Sequence, residues 1–261
     1  MRCAMFDRRR LLIATAALAA GGAGAQAASA QQILAASDAI RNPGQPFTVE
    51  IELVEYRQGA TTEASRLQVQ AKARAGSGQF RSIVRFLAPA RDRDKLMLKD
   101  GSDLWFFDPE TKASVRVAPQ QRLLGQASNG DVVTVNLALD YSAVQAAAEE
   151  VSDGDRLTRR SQRLVLEAAT AEASYRRIEL WVDAGTYAPI KARFYADSGR
   201  LLKTAFYRKF QLELGAQRPT ETVIIDGIDS QWVTVLRYSN FAFKDLPESW
   251  FQRDHLPNVG R

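Results

Sequence analysis

The chain has 261 residues, 46% of them hydrophobic, and a formal charge of +5, of which three charges belong to the first thirty residues, where Arg2, Arg8, Arg9 and Arg10 outnumber Asp7. The remainder therefore carries about +2, with no Lys/Arg run interleaved with aromatics, which argues against a nucleic-acid partner. Cys3 is the only cysteine and His255 the only histidine, which excludes a disulfide framework and leaves no basis for Ser-His-Asp or Cys-His catalysis or for a zinc site of the usual ligands.

Residues 1–30 read as a secretory leader: a basic start, the apolar stretch "LLIATAALAAGGAGA", and "ASA" at 28–30 in the A-x-A form that a signal peptidase cuts. The run Arg8-Arg9-Arg10-Leu11-Leu12 also has the form of a twin-arginine signal, so Sec and twin-arginine export both stand. Cys3 lies ahead of the apolar stretch rather than just behind it, so no lipid anchor is expected. Residues 31–261 are expected to form a single soluble periplasmic domain, long enough for one core without staples.

A short amphipathic helix is predicted over about 31–41, stopped by Asn42-Pro43-Gly44. Strands then dominate. "FTVEIEL" places Phe47, Val49, Ile51 and Leu53 on one face, and "LQVQAKARA" does the same with Leu67, Val69, Ala71 and Ala73. "FRSIVRFLAP" and "KLMLKDG" follow. "DLWFFDPETK" is entered through an Asp100-Gly101 turn and left through Asp108-Pro109-Glu110. In that strand Leu104 and Phe106 share one face and Trp105 and Phe107 the other. One pair is core under any reading, and the second either lines a cavity or packs.

After an Asn129-Gly130 turn, the alanine-rich stretch 136–150 favours helix. The meander then resumes, punctuated by Asp183-Ala184-Gly185, Asp197-Ser198-Gly199 and Asp226-Gly227. "IKARFYAD" is expected to bury Ile190, Ala192, Phe194 and Ala196. "LLKTAFYRKFQLEL" is expected to bury Leu202, Phe206, Phe210 and Leu212, with Lys203, Tyr207 and Lys209 outward. A short closing helix is predicted in "DLPESWFQRDHLPNV". That is little helix for so much sheet, so the sheet either closes on itself or keeps part of a concave face for a ligand.

No sequence pattern supports catalysis. Glu50 and Glu52 share a polar strand face and Asp153 and Asp155 a loop, but no motif organises them, and no phosphate-binding glycine loop occurs in a strand-turn-helix setting. His255 reads as structural. Binding is favoured over chemistry, with no metal or cofactor.

The stretch "RFLAPARDRDKLMLKDGSDLWFFDPETKASVRVAP", with Arg85, Phe86, Pro89, Gly101, Leu104, Trp105 and Pro109, resembles the outer-membrane lipoprotein-sorting (LolA-like) family. A glycine loop leading to an Asp-Tyr pair (Gly125, Asp140, Tyr141), the Trp-x-Asp, Pro-x-Lys and Asp-x-Gly-x-x-x-Lys hairpins of 180–207, and the ending "LPESWFQRDHL" are similar as well, in the same order over roughly 31–256. The chain departs from the family in having Ser128-Asn129-Gly130-Asp131 where a Ser-Asp-aromatic element is usual, and no position matches the archetype's lid arginine.

The resemblance implies a mainly β fold: a single curved antiparallel sheet, an incomplete β-barrel, with a few short helices lidding a hydrophobic cavity. It also implies a periplasmic carrier of acyl chains, taking a lipoprotein or lipid from an inner-membrane transporter to an outer-membrane acceptor, as a monomer. The cavity is expected to involve Phe47, Val49, Ile51, Leu67, Val69, Trp105, Phe107, Phe194, Phe206 and Phe210. At about 0.8 kcal/mol per CH₂, a long chain gains on the order of 10 kcal/mol gross on burial. The alternative is an adaptor of an RND/MMPL-type envelope exporter with no cargo of its own.

Overall fold

A computed structural model describes residues 28–170 and 173–260; nearly all of the expected leader lies outside them. Helix α1 (Ala30–Arg41) starts where Ser29 and Gln32 form a reciprocal capping box and stops at Asn42. One face, Ala30, Ile33, Leu34, Ser37 and Asp38, is buried.

Six strands follow in meander: β1 (Phe47–Arg57), β2 (Ala60–Ala73), β3 (Phe80–Ala88), β4 (Leu96–Asp100), β5 (Asp103–Asp108) and β6 (Ala113–Arg116). A small hairpin, β7 (Arg122–Leu124) and β8 (Ala127–Ser128), leads to two single-turn helices, α2 (Asn129–Val132) and α3 (Leu137–Asp140). The second meander comprises β9 (Tyr141–Ser152), β10 (Thr158–Ala168), β11 (Arg177–Asp183), β12 (Pro189–Tyr195), β13 (Leu201–Glu213), β14 (Ala216–Asp226) and β15 (Trp232–Phe243). Two 3₁₀ turns, Glu248–Phe251 and Arg253–Asn258, end the chain.

All strands but β7 and β8 join one antiparallel sheet, in the order β6-β5-β4-β3-β2-β1-β15-β14-β13-β12-β11-β10-β9. The two meanders are stitched together where β1 pairs with β15, Leu53 opposite Leu236. The sheet is curved and not closed, and β6 and β9 remain its edges. The turn residues act as their chemistry requires. Asp108, Asp183 and Asp226 each accept backbone N–H groups two and three residues on, and Gly101 and Gly199 take positive φ.

The main core fills the concave side. Alternate residues of both meanders, among them Val49, Leu67, Val84, Leu166, Ile178 and Leu236, enclose Ile33 and Leu34 of α1 and Val132, Val133 and Leu137 of the 117–140 connection. This connection crosses the sheet closely. An added Cβ at Gly125, whose φ is +54°, would meet the Thr234 hydroxyl at 2.3 Å. The Gln126 N–H donates to that hydroxyl, and the Thr134 N–H to Ser82 on β3.

Four expectations need correction. The stretch 136–150 is not a helix beyond the single turn of α3. From Tyr141 it is edge strand β9, paired with β10 from Tyr141 opposite Ala168 to Ser152 opposite Thr158. Alanine's helix propensity, a few tenths of a kcal/mol per residue, yields to a ladder and buried anchors at Tyr141 and Val151. Asn129-Gly130 is not a turn but the start of α2, where Ser128 and Asp131 make a second capping box.

The tail does not roof the concave side. Leu246, Phe251, Leu256 and Val259 pack on the convex face against Ile83, Leu96, Leu98 and Phe107, with Trp105 at the rim. Lys72, Arg81 and Arg85 fasten it by reaching Leu246 O, Glu248 and Val259 O. Lastly, β13 is turned over. Lys203 and Ala205 are buried on the concave side, whereas Phe206 faces outward beneath Lys191, and Phe210 and Leu212 are 36% and 70% exposed.

Candidate functional site

A cavity of about 170 Å³ lies between the concave face and its roof. Its floor is apolar: Phe47, Val49 and Ile51 of β1, Val69 of β2, Ile178, Phe194, Ala205, Ile224 and Leu236. Its roof is the Gly130–Val135 segment, with Leu137 and the C-terminal end of α1. A second cavity of about 190 Å³ abuts it, sharing Val133, Val135, Asp140 and Ser174 as a wall and extending to Gln79, Lys99 and Leu104.

Of the ten residues named from sequence, Phe47, Val49, Ile51, Val69 and Phe194 converge on the first cavity. Leu67 is fully buried in the same core but stands behind the cavity wall. The other four lie elsewhere. Trp105 and Phe107 sit under the C-terminal tail, with the Arg253 guanidinium 4.3 Å from the Trp105 ring centre. Phe206 and Phe210 lie on the outward face of β13. Strand alternation identifies which residues share a face but not which face is concave.

The roof is held by the buried side chains of Val132, Val133 and Leu137 and by a polar fastening. Lys203, 2% exposed, donates to Gln126 O at 3.0 Å and to the Asp131 carboxylate at the end of α2. The Tyr175 hydroxyl donates to the same carboxylate at 2.8 Å, its ring 4.9 Å below the Lys203 ammonium. Tyr141 and Tyr175 are bonded hydroxyl to main chain. Burial pushes the Lys203 ammonium below its ordinary value, opposed by Asp131. Burial also drives the phenol of Tyr175 well above its own, with the Asp131 charge adding to it.

Helix α1 is clasped from the other side. Asp38 accepts from the Ala138 N–H at 2.7 Å and from Arg41, Gln31 bridges Ala138 O and the Ala143 N–H, and Asn42 donates to Val135 O. Arg218 donates to the carbonyls of Ala39 and Ile40, the last turn of α1. Sequence reasoning missed Lys203 and Arg218 because a charged residue in an alternating strand reads as solvent-facing, and Asp38 and Asp131 because an acidic residue on a short helix or loop reads the same way. The Asp-x-Gly-x-x-x-Lys hairpin that ends at Lys203 and the Ser-x-x-Asp box at 128–131 were the available signals.

This architecture has close counterparts. A family model described as an uncharacterized protein matches residues 78–258. The crystal structure of a LolA superfamily protein from Nitrosomonas europaea is 34% identical, covers 88% of this chain and 100% of its own, and superimposes with a TM-score of 0.78. The chain belongs to the LolA superfamily.

Two further LolA-type folds, each with a TM-score of 0.73, extend the likeness at the level of architecture. One is a DUF1329 family protein from Desulfovibrio piger, 20% identical over 87% of this chain and 97% of its own. The other is a candidate outer membrane lipoprotein-sorting protein domain from Vibrio parahaemolyticus, 16% identical over 87% and 98%. A search of the curated proteins finds no match. In this LolA-superfamily chain the roof is tied to the sheet by a lysine of β13.

Proposed function

We propose that this protein is a periplasmic carrier that shields acyl chains of a lipoprotein or lipid on the way to the outer membrane. The observation that carries the reading is a cavity with an apolar floor, roofed by a short crossing segment whose packing is supplemented by a few polar links to the sheet. A carrier must release a chain worth on the order of 10 kcal/mol gross in buried CH₂ groups, and a roof that unlatches at a few charged contacts provides a route. As the cavity stands, about 170 Å³ matches an engineered void of about 150 Å³ that takes benzene. It is smaller than the roughly 300–1,000 Å³ of typical ligand pockets. Lifting the Val133–Val135 wall joins it to its neighbour, so loading a long chain is expected to displace that segment.

The carrier is read as exported with its leader removed and soluble as a monomer, taking cargo from an inner-membrane transporter and passing it to an outer-membrane acceptor. No catalysis is included. The carboxylates at the cavity are engaged: Asp131 by Lys203 and Tyr175, Asp38 by Arg41 and Ala138, Asp140 by Gln79. Native mass spectrometry of protein taken from the periplasm without detergent tests the reading. Co-purifying acylated mass, lost when Val49 or Phe194 is replaced by a charged residue in a folded variant, supports it. An apo mass that added lipid does not shift refutes it.

A second reading, an adaptor of an envelope exporter without cargo of its own, draws on one observation: side chains already fill most of the concave side. It expects that apo result, together with retained exporter binding.

A further inference from the structure

One end of the cavity is positively charged. Arg218 is 5% exposed and has no carboxylate partner among the described residues; burial alone acts on it, pushing its guanidinium below the ordinary value. Its Nε and Nη1 donate to the carbonyls of Glu213, Ala39 and Ile40, while Nη2 has no partner among the described residues. Arg41 stands beside it at the end of α1 and relies on Asp38, a carboxylate it shares with the Ala138 N–H. Two phenols face the same space: among the described residues the Tyr207 hydroxyl has no hydrogen-bond partner, and that of Tyr238 reaches Thr222, at 3.4 Å. Capping the last turn of α1 accounts for Nη1 of Arg218, and the Glu213 carbonyl takes Nε. Neither accounts for the third nitrogen or for the idle hydroxyl of Tyr207. A nearly buried cation without a counterion is costly, and here it borders a cavity with an apolar floor.

We propose that the cavity takes a single-chain amphiphile with an anionic head, a carboxylate or a phosphate, seated against Arg218 and Arg41 with Tyr207 donating to it and the chain running inward over Phe47 and Val49. This deepens the carrier reading and rests on it. It sets the ligand apart from an acylated protein, whose chains end in neutral esters and amides. The arrangement provides the remaining guanidinium nitrogen of Arg218 and a hydroxyl donor to one anion, a charge-assisted form of hydrogen bonding.

The test is calorimetry of the full mature chain with octanoate, octyl phosphate and octanol, chains short enough to separate head recognition from displacement of the roof. Octanoate is expected to bind about tenfold or more tighter than octanol, and the ranking of octanoate against octyl phosphate distinguishes a carboxylate head from a phosphate one. The octanoate-to-octanol ratio is expected to collapse in Arg218→Gln and to recover partly in Arg218→Lys. Should Arg218→Gln fail to fold, Tyr207→Phe, which removes one oxygen on the cavity side, is expected to lower the ratio about tenfold. Equal affinity for octanoate and octanol in the native protein overturns the anionic head and leaves the carrier standing; binding of neither overturns both.

Discussion

Lys203 and Asp131 show how much one buried pair decides. With its partner in place, the ammonium that donates to Gln126 O and Ser128 and sits over the Tyr175 ring is compensated; with the carboxylate gone, it is an orphan charge on the concave face. Asp131→Asn is expected to cost about 3–5 kcal/mol in chemical denaturation, and Lys203→Met combined with Asp131→Leu to recover most of that. Recovery would be incomplete, because Asp131 also caps α2 and receives the Tyr175 hydroxyl.

The buried phenols make a second prediction. Burial pushes Tyr238 up to about 12 from 10.0, and raises Tyr175 and Tyr207 as well. A phenol whose pKa is higher in the folded state favours its neutral form there. Its contribution is therefore complete below pH 10 and is lost as the pH climbs from 10 through about 12. Tyrosinate absorbance is expected to lag behind that of free tyrosine over this interval, with unfolding free energy falling in step.

Helix α1 depends on its ends. Ser29 accepts the Gln32 N–H while Gln32 reaches back to the Ser29 N–H, so Ser29→Ala is expected to cost about 1 kcal/mol. Cutting after Ala30 would remove this cap, whereas Ala25-Gln26-Ala27 has the same A-x-A form and leaves it intact. The intact mass of exported protein is expected to show Ala28 as its first residue. At the other terminus, Phe251 is 1% exposed on the convex face, with the Arg81 guanidinium 4.9 Å from its ring centre. Phe251→Ala is expected to cost about 3–5 kcal/mol and to leave the cavity's ligand binding unchanged, since it packs on the opposite face. A small separate cluster of Val151, Trp181 and Ile190 is buried at β9, β11 and β12, and the tail covers the convex face near β3–β5, where the sheet has a packed core on both sides. This explains why "DLWFFDPETK" can bury residues on both faces of a single strand.

In the whole molecule, the concave and convex faces differ in what a charge does to them. Phe194→Glu would place a carboxylate in the cavity floor, whereas Phe210→Glu changes a surface that is already wet. The first is expected to abolish octanol binding. The second is expected to keep stability within about 0.5 kcal/mol and binding intact, both read by calorimetry and thermal melts.

Much of the architecture was legible in one dimension. Period-two alternation, aspartate and glycine turns at hairpin spacing and the shortage of helix pointed to a long antiparallel sheet, either closed on itself or keeping a concave face for a ligand. The order of weak motifs pointed to its family. Alternation is a local property, set by the pleat, and residues such as Phe47, Val49 and Ile51 carry it wherever they fold. Which face curves inward is not local. It depends on the pairing of β1 with β15, on the 117–140 connection crossing the concave side over Gly125, and on the tail covering the other face. Only those contacts, between residues far apart in the chain, turned Lys203 inward and Phe206 outward, made a strand of an alanine-rich segment, and brought Arg41, Arg218 and Tyr207 to one end of a cavity.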